Sequence, residues 1–180
     1  DVVGADRFSL HETRQAIVYL PANDWAAFGD GDTQQPGFFS SVDGPDSVTT
    51  EPTGTASFTL GDFYFGGLDK GFPAGQQLVK VTNEGNQPHM VIMAKGPEDM
   101  TLEMATQALS RPDAATPAPG ELSIDQLAFV HGITIISAGQ TMYMPMNLDA
   151  GTYVAICYFS DPATGMPHFM EGMVTTFKVT

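Results

Sequence analysis

The stretch CYFSDPATGMPHFMEGM, residues 157–173, brings together side chains that bind soft metal ions. It contains the only cysteine of the chain, Cys157, one of its four histidines, His168, and three of its ten methionines. Cu(I) prefers thiolate and thioether sulfurs, whereas imidazole suits Cu(II), so a site that combines these donors lets copper change its oxidation state with little rearrangement. The residue types in this stretch therefore predict a copper site.

The second histidine of such a site has to come from another part of the chain. One thiolate and two imidazoles in a trigonal arrangement, with a weak axial thioether, form the required donor set. We expect the distant ligand to be His89, at the head of PHMVIM. Cys157 ends a predicted strand, His168 follows after ten intervening residues, and Met173 opens the last strand after four more. The predicted metal ligands are thus His89, Cys157, His168 and Met173.

Short strands separated by turns are predicted to position these ligands. The alternation of apolar and polar residues in TASFTLGDFYF (55–65) is typical of a half-buried strand. About seven short strands with Gly-, Pro- and Asn-containing turns between them indicate a β-sandwich. The predicted strands span residues 14–20, 55–65, 76–85, 88–94, 132–136, 140–148, 152–159 and 173–179.

One helix is predicted between the two series of strands, at 95–109. Gly96 can cap it, Pro97 suits the first helical position, and Glu98 and Asp99 suit the positive N-terminal end. The Pro- and Ala-rich segment 110–120 then serves as a connector without a packing face. The helix therefore lies on a crossover between strands.

Residues 1–54 are predicted to form an N-terminal extension, and residues 55–180 the main domain. The extension is rich in turn residues and contains one strand or two. Its aromatic residues favour an extension that packs on the main body: Trp25, Phe28, Phe38 and Phe39.

The turns and ligand motifs of 55–180 resemble those of the cupredoxins. FTLGDFYFGGLDKGFPAGQQLVKVTNEGNQPHMVIM is similar to the half of that fold that leads, through a strand ending N-x-G, to the first histidine ligand. SAGQTMYMPMNLDAGTYVAICYFSDPATGMPHFMEGMV is similar to the other half, with a G-T-Y turn, a strand into the cysteine and the ligand loop. The resemblance implies an all-β, cupredoxin-like Greek-key β-sandwich with one type 1 copper per chain.

The ligand loop departs from the commonest cupredoxin pattern in one respect. Ten residues separate Cys157 from His168, which is longer than in plastocyanin-like proteins and nearer to the loop in the type 1 domain of copper nitrite reductases. The His-x4-Met spacing is the common one. Met173 is therefore the expected axial ligand, and Met166 and Met170 are the alternatives.

Three further features of the sequence concern the surroundings of the site. Met142, Met144 and Met146 alternate along one strand, which we interpret as core packing, with an auxiliary Cu(I) site as the alternative. Asp62 is expected in a turn or in support of a ligand. Asn83 is likewise expected in a turn or in support of a ligand, and a hydrogen bond from it to the Cys157 loop would hold the site rigid.

The strongly acidic composition restricts the partners of the protein. Seven Lys and Arg against 21 Asp and Glu give a formal charge of −14, which disfavours nucleic acid and anionic membranes and favours cationic partners. One cysteine excludes an intramolecular disulfide, and no run of 18 apolar residues predicts a membrane span. Little Lys and much Thr, Gly and Asp are typical of an exported bacterial protein. We therefore expect a periplasmic or secreted location, with anchoring through a removed N-terminal segment as one form of it.

The histidine count argues against an enzyme. After His89 and His168 only His11 and His131 remain, too few for the further copper centres of multicopper oxidases or nitrite reductases. No G-x-S-x-G motif or phosphate-binding loop is present either. A single type 1 copper would move one electron between redox partner proteins, through a solvent-facing edge of His168 ringed by apolar loop residues. Two alternatives remain open: a copper carrier or storage protein, and a metal-free binding module.

Overall fold

The strands of the protein form two sheets and a separate hairpin. The computed structural model describes residues 53–112, 115–131 and 135–180, together with three short strand backbones before them. The strands are β1 (Ile17–Val18), β2 (Asn23–Ala27), β3 (Gly37–Ser41), β4 (Ala56–Gly61), β5 (Tyr64–Gly66), β6 (Gly75–Asn83), β7 (Ile92–Gly96), β8 (Ala128–His131), β9 (Thr141–Leu148), β10 (Gly151–Ile156) and β11 (Val174–Val179). The one α-helix of the described residues, α1, spans Leu102–Ser110.

The first sheet has the strand order β1-β9-β6-β4-β5 and the second has the order β11-β10-β7-β8. Pairing is antiparallel except between β4 and β6, which run parallel. Among the strands that the structure describes, β2 and β3 form a pair of their own. Because β7 and β8 are neighbours in the second sheet and α1 lies between them in the chain, the helix forms the predicted crossover.

The main hydrophobic core lies between the two sheets. Its buried members include Val79 of β6 and Met142 of β9 from the first sheet, and Met93 of β7 and Tyr153 of β10 from the second. A second cluster lies on the opposite face of the second sheet, where Ala105 and other residues of α1 pack. The all-β sandwich predicted from the sequence is therefore confirmed, and one of its sheets is covered on both faces.

The alternation of side chains along β10 decides where the cysteine points. Tyr153 and Ala155 belong to the core between the sheets, whereas Val154 and Ile156 belong to the cluster under the helix. Cys157 continues the first set and is fully buried in the main core. The strand thus carries the thiol into the interior of the sandwich.

Two predicted strands differ more than the others from those in the structure. The segment 55–65 is not one strand: β4 and β5 form a hairpin that turns at Asp62 and Phe63. Phe63 adopts a φ of 70°, an uncommon value for a residue other than glycine, and follows Gly61 and Asp62, which are typical turn residues. The strand predicted at 88–94 begins only at Ile92, although His89 forms an isolated bridge with Ile136.

The predicted start of the helix is wrong. Gly96 belongs to β7, where it pairs with Thr152 of β10. The helix begins at Leu102, and Thr101 is its N-cap because its side chain accepts a hydrogen bond from the backbone N–H of Met104. The Gly-Pro-acidic signature therefore marks a turn that precedes the helix, not its first residues.

Some predictions fall outside the described residues. These are most of the strand at 132–136 and the side-chain packing of the four aromatic residues of the extension. Part of the strand at 14–20 is described: β1 pairs with β9 at the edge of the first sheet. No helix among the described residues has the length and apolar character that a membrane span requires.

Candidate metal centre

Three of the four predicted ligands meet in the interior of the sandwich. His89, Cys157 and His168 are fully buried, and each offers a donor atom within 4.8 Å of the others. The Nδ1 atoms of the two histidines are 3.0 Å apart. The Sγ atom of Cys157 is 3.5 Å from Nδ1 of His168. Cys157 and His168 lie 68 and 79 positions after His89 in the sequence, and the fold thus brings all three to one point.

Backbone hydrogen bonds fix the three residues relative to one another. His89 exchanges both backbone bonds with Ile136, at 3.1 and 2.8 Å. His168 opens a short 3-10 helix (His168–Glu171), and its N–H donates to the carbonyl of Phe159. The carbonyl of Cys157 accepts from Phe169, and the N–H of Cys157 donates to Met173. The ligand loop therefore folds back onto the end of β10.

The outer nitrogen of each imidazole has a hydrogen-bond acceptor. Nε2 of His89 lies 3.1 Å from Oδ1 of Asp62, and Nε2 of His168 lies 3.0 Å from Oε1 of Gln87. A carboxylate can only accept, and the Gln87 amide nitrogen donates to Asp161 at 3.0 Å, so the Gln87 carbonyl faces the imidazole. Both Nε2 atoms therefore carry the proton, and both Nδ1 atoms present a lone pair to the same point.

This donor set fits a metal ion. Two buried lone pairs face each other at 3.0 Å beside a thiol sulfur. At least one of these lone pairs has no hydrogen-bond donor unless a cation lies between them. Bonds of about 2.0 Å to nitrogen and about 2.3 Å to sulfur would place such atoms about 3 to 4 Å apart. One thiolate and two imidazoles with a methionine nearby fit one type 1 copper per chain.

The surroundings of the thiol control its ionisation. Burial raises the pKa of Cys157 above its ordinary value, and hydrogen bonds from the backbone N–H groups of Met90 and Phe159 oppose that shift in part. The Met90 N–H lies 3.5 Å from Sγ. A bound cation deprotonates a coordinating thiol outright, so the same sulfur becomes a thiolate ligand once a metal is present.

Both histidines are held in the neutral form that binds metals. Burial is the main reason that the pKa of His89 lies below its ordinary value of 6.5, and the nearby His168 adds to this while Asp62 opposes it. Burial also lowers the pKa of His168, against the opposing charges of Glu171, Asp161 and Asp62. Neutral imidazoles leave their lone pairs available to a metal ion near pH 7.

Asp62 supports His89, as its position in the sequence predicted. Besides His89, its carboxylate accepts bonds from the backbone and side chain of Asn86 and from the backbone of Gln87, at 2.8–3.2 Å. Burial opposes its charged form, but these bonds together outweigh burial and hold the pKa of Asp62 below 3.8. Asp62 therefore orders the turn before His89 as well as the imidazole itself.

Asn83 has the turn role that its position in the sequence predicted, without the bond to the Cys157 loop. Its amide donates to the carbonyls of Gln87 and Ile136, at 2.8 Å each, and its Oδ1 accepts from the N–H of Gly85 at 2.9 Å. These partners belong to the turn before His89 and to the segment that pairs with it. The expected bond to the Cys157 loop is not among them, because Asn83 closes its own turn.

The solvent-facing edge expected for His168 is also absent. The residue is 0% exposed, and the rings of Phe63 and Phe159 lie 5.2 and 5.8 Å from its ring. Sequence reasoning gave no role to Gln87, which covers the outer nitrogen. Because a glutamine in a turn carries no pattern that marks it as a histidine partner, only the fold reveals this contact.

The methionines separate clearly by burial. Met173 is fully buried, and its backbone bonds both Cys157 and His168, whereas Met166 and Met170 are 39% and 52% exposed. The three alternating methionines of β9 are buried in the main core, in agreement with core packing: Met142, Met144 and Met146. His11 and the side chain of His131 lie outside the described residues.

Comparison with known proteins finds similar structures but no close relative. No family model matches the chain, and no curated protein matches it. A dithionite-reduced auracyanin from the photosynthetic bacterium Roseiflexus castenholzii is 22% identical, with 69% of this chain and 95% of that chain covered and a TM-score of 0.45. Auracyanin B is 21% identical, with 74% and 95% covered and a TM-score of 0.40.

A third similar structure is auracyanin A, described as a "blue" copper protein from a green thermophilic photosynthetic bacterium, Chloroflexus aurantiacus. It is 23% identical, with 69% of this chain and 98% of that chain covered and a TM-score of 0.37. Similarity this distant carries no functional argument. The function has to be inferred from the side chains of the centre.

Proposed function

We propose that this protein is a type 1 copper protein of the cupredoxin kind that carries single electrons between redox partners. The observation that supports this most strongly is the pair of Nδ1 atoms of His89 and His168, 3.0 Å apart with the sulfur of Cys157 beside them. Both imidazoles have their outer nitrogens bonded, so their inner lone pairs are already directed at one point.

In this proposal His89, Cys157 and His168 would hold the copper most strongly, and Met173 would supply a weaker fourth ligand. Copper bound there supplies a change of one electron between Cu(I) and Cu(II). The protein holds the imidazoles through Asp62 and Gln87, directs the Met90 N–H at the sulfur and keeps water out. Because the donors are held before the metal binds, little has to move when the electron arrives or leaves.

Electron transfer is a better match to this chain than catalysis. Among the described residues, the three ligands form the only group of His, Cys, Asp or Glu side chains able to hold a metal ion. A multicopper oxidase or a copper nitrite reductase would need a second copper centre at which substrate reacts. All four proposed ligands lie within 55–180, the segment that we treat as the electron-transfer domain.

The partners proposed for this protein are redox proteins with a positively charged docking face. The formal charge of −14 would steer such a face and accelerate the encounter. Met166 and Met170 supply exposed apolar surface on the ligand loop, suited to brief contact. An extracytoplasmic location belongs to the same proposal, because composition favours export and the single thiol is buried.

The exposed methionines also favour a second candidate, a copper carrier. Thioethers bind Cu(I), so Met166 and Met170 beside the centre offer a route by which reduced metal leaves the protein. An electron carrier retains its copper in both oxidation states, whereas a copper carrier releases Cu(I). The two candidates therefore differ in what happens after reduction.

Voltammetry combined with a Cu(I) chelator separates the two. An electron carrier gives a reversible one-electron wave, and the reduced protein keeps its copper when bicinchoninate is added. Rapid loss of Cu(I) to the chelator, slowed in a Met166→Leu/Met170→Leu double variant, would contradict the electron carrier and support the copper carrier. If the protein is an electron carrier, the double variant should retain Cu(I) as well as the wild type does.

A further inference from the structure

The outer nitrogen of His168 is covered by two side chains that are hydrogen-bonded in series, Gln87 and Asp161. Nε2 of His168 lies 3.0 Å from Oε1 of Gln87, and Nε2 of Gln87 donates to Oδ1 of Asp161 at 3.0 Å. His168 is fully buried and Asp161 is only 4% exposed. These hydrogen bonds thus link the proposed metal ligand His168 to a buried carboxylate in the loop between Cys157 and His168.

Asp161 is well anchored in this loop. Its Oδ1 accepts from the N–H of Ala163 at 3.0 Å, and its Oδ2 accepts from the hydroxyl of Thr164 at 3.2 Å. Its own N–H donates to the carbonyl of Met166, and its carbonyl accepts from Gly165. The ten residues between Cys157 and His168 therefore close around Asp161, and this fixed carboxylate is what holds the amide of Gln87.

The chemistry of the link requires a side chain that both accepts and donates. An imidazole N–H needs an acceptor, and a carboxylate needs a donor. The primary amide of Gln87 offers an oxygen on one side and an NH₂ group on the other, so it bridges the two without an unpaired atom. The anchored carboxylate fixes which way the amide points, and the amide in turn fixes which nitrogen of His168 carries the proton.

We propose that Gln87 is a positioning residue for the metal ligand His168. Held by Asp161, it keeps the imidazole as the Nε2–H tautomer, with Nδ1 directed at the metal, and it seals the ring from water. Phe63 and Phe159 pack against the same ring and complete the seal. The metal-ligand role of His168 rests on the proposed function, but the link itself is a property of the chain without metal.

Nuclear magnetic resonance of the ¹⁵N-labelled full chain tests this link directly. Long-range ¹H–¹⁵N spectra of the metal-free protein at pH 8 report the tautomer of His168, and deuterium exchange reports the protection of its Nε2–H. We expect the Nε2–H tautomer in the wild type, with exchange slowed at least about tenfold relative to Gln87→Met. The matched control is Gln76→Met, at an exposed glutamine of β6, which should behave as the wild type.

A second variant separates positioning from simple filling of space. Gln87→Glu places a carboxyl group 3.0 Å from Asp161, so the two groups should share one proton, as close carboxylate pairs do. The variant then keeps both an acceptor for the imidazole and a donor to Asp161, and it should restore the Nε2–H tautomer that Gln87→Met loses. In the copper-loaded protein, Gln87→Met should shift the thiolate-to-copper absorption and the reduction potential, and Gln76→Met should shift neither. A folded Gln87→Met variant with the wild-type tautomer and exchange rate would overturn the proposal.

The outcomes distinguish this inference from the proposed function. If the metal-free protein shows the protected Nε2–H but does not retain copper, the link stands and the copper proposal fails. If copper binds with a thiolate charge-transfer band while the Nε2–H of His168 exchanges freely, the copper proposal stands and the role of Gln87 is overturned. Circular dichroism of each variant establishes that its fold is intact.

Discussion

Removal of the Asp62 carboxylate should weaken both the turn before His89 and the binding of copper. In the Asp62→Ala variant, the buried Nε2–H of His89 loses its acceptor, as do the backbone N–H of Gln87 and the two donors of Asn86. The imidazole is then free to rotate or to change its tautomer. Either change turns the Nδ1 lone pair away from the metal.

The magnitude follows from the burial of these donors. His89 is fully buried, so an unpaired N–H there costs about 1–3 kcal/mol. The Gln87 N–H adds about 1 kcal/mol, whereas the exposed Asn86 donors can bond water and add little. The free energy of unfolding should therefore fall by about 2–4 kcal/mol. Loss of a side chain that orients a ligand lowers metal affinity by about 10–100-fold.

Chemical denaturation of the metal-free protein and competition for Cu(I) with a chelator measure the two effects. Asp62→Asn retains one acceptor for His89, so it should lose less affinity than Asp62→Ala. Asp69→Ala removes an exposed carboxylate and serves as the matched control. If Asp62→Ala bound Cu(I) as tightly as Asp69→Ala, the assignment of Asp62 as the partner that orients His89 would be refuted.

Three further results are expected. Gly85→Ala should lower copper affinity, because a β-carbon there would contact the Asp62 carboxylate and lie 2.8 Å from Nε2 of His89. The chelator competition measures this affinity, and an unchanged value would contradict the close packing around Gly85. Met173→Leu conserves volume but leaves the copper with fewer donors, which favours Cu(I) over Cu(II), so voltammetry should show a higher reduction potential. Met146→Leu in the core should leave the potential unchanged. The pKa values of both ligand histidines lie below 6.5 in the folded protein, so the unfolded metal-free chain takes up protons first as the pH falls. Urea unfolding should therefore show the free energy of unfolding decreasing as the pH drops below about 6.5. An unchanged stability between pH 7.5 and 5.5 would contradict this.

Local periodicity was enough to predict the sandwich and the elements that carry the ligands. The alternating methionines of β9 and the continuous apolar run of β10 predicted both strands to within a few residues at each end. One face of β9 packs in the main core, and both faces of β10 are buried. The donor types predicted the metal centre, because thiolate, imidazole and thioether together suit few metals other than copper. These inferences needed only local sequence.

Features that depend on contacts distant in sequence could not be predicted. The left-handed backbone of Phe63 has no local signal, and Thr101 replaces the expected cap because Gly96 is held in a strand. The burial of His168 depends on Gln87, which lies 81 residues before it in the chain. Only the fold brings that glutamine to the imidazole.

The central claim is that His89, Cys157 and His168 hold one type 1 copper. Visible absorption and electron paramagnetic resonance spectra after stoichiometric addition of Cu(II) test it most directly, with Cys157→Ser as the comparison. The account predicts one retained copper per chain, an intense thiolate-to-copper charge-transfer band and a small parallel hyperfine splitting, with the band lost in Cys157→Ser while the fold persists. Wild-type protein that folds but fails to retain copper, or retains it without that band, would contradict the claim.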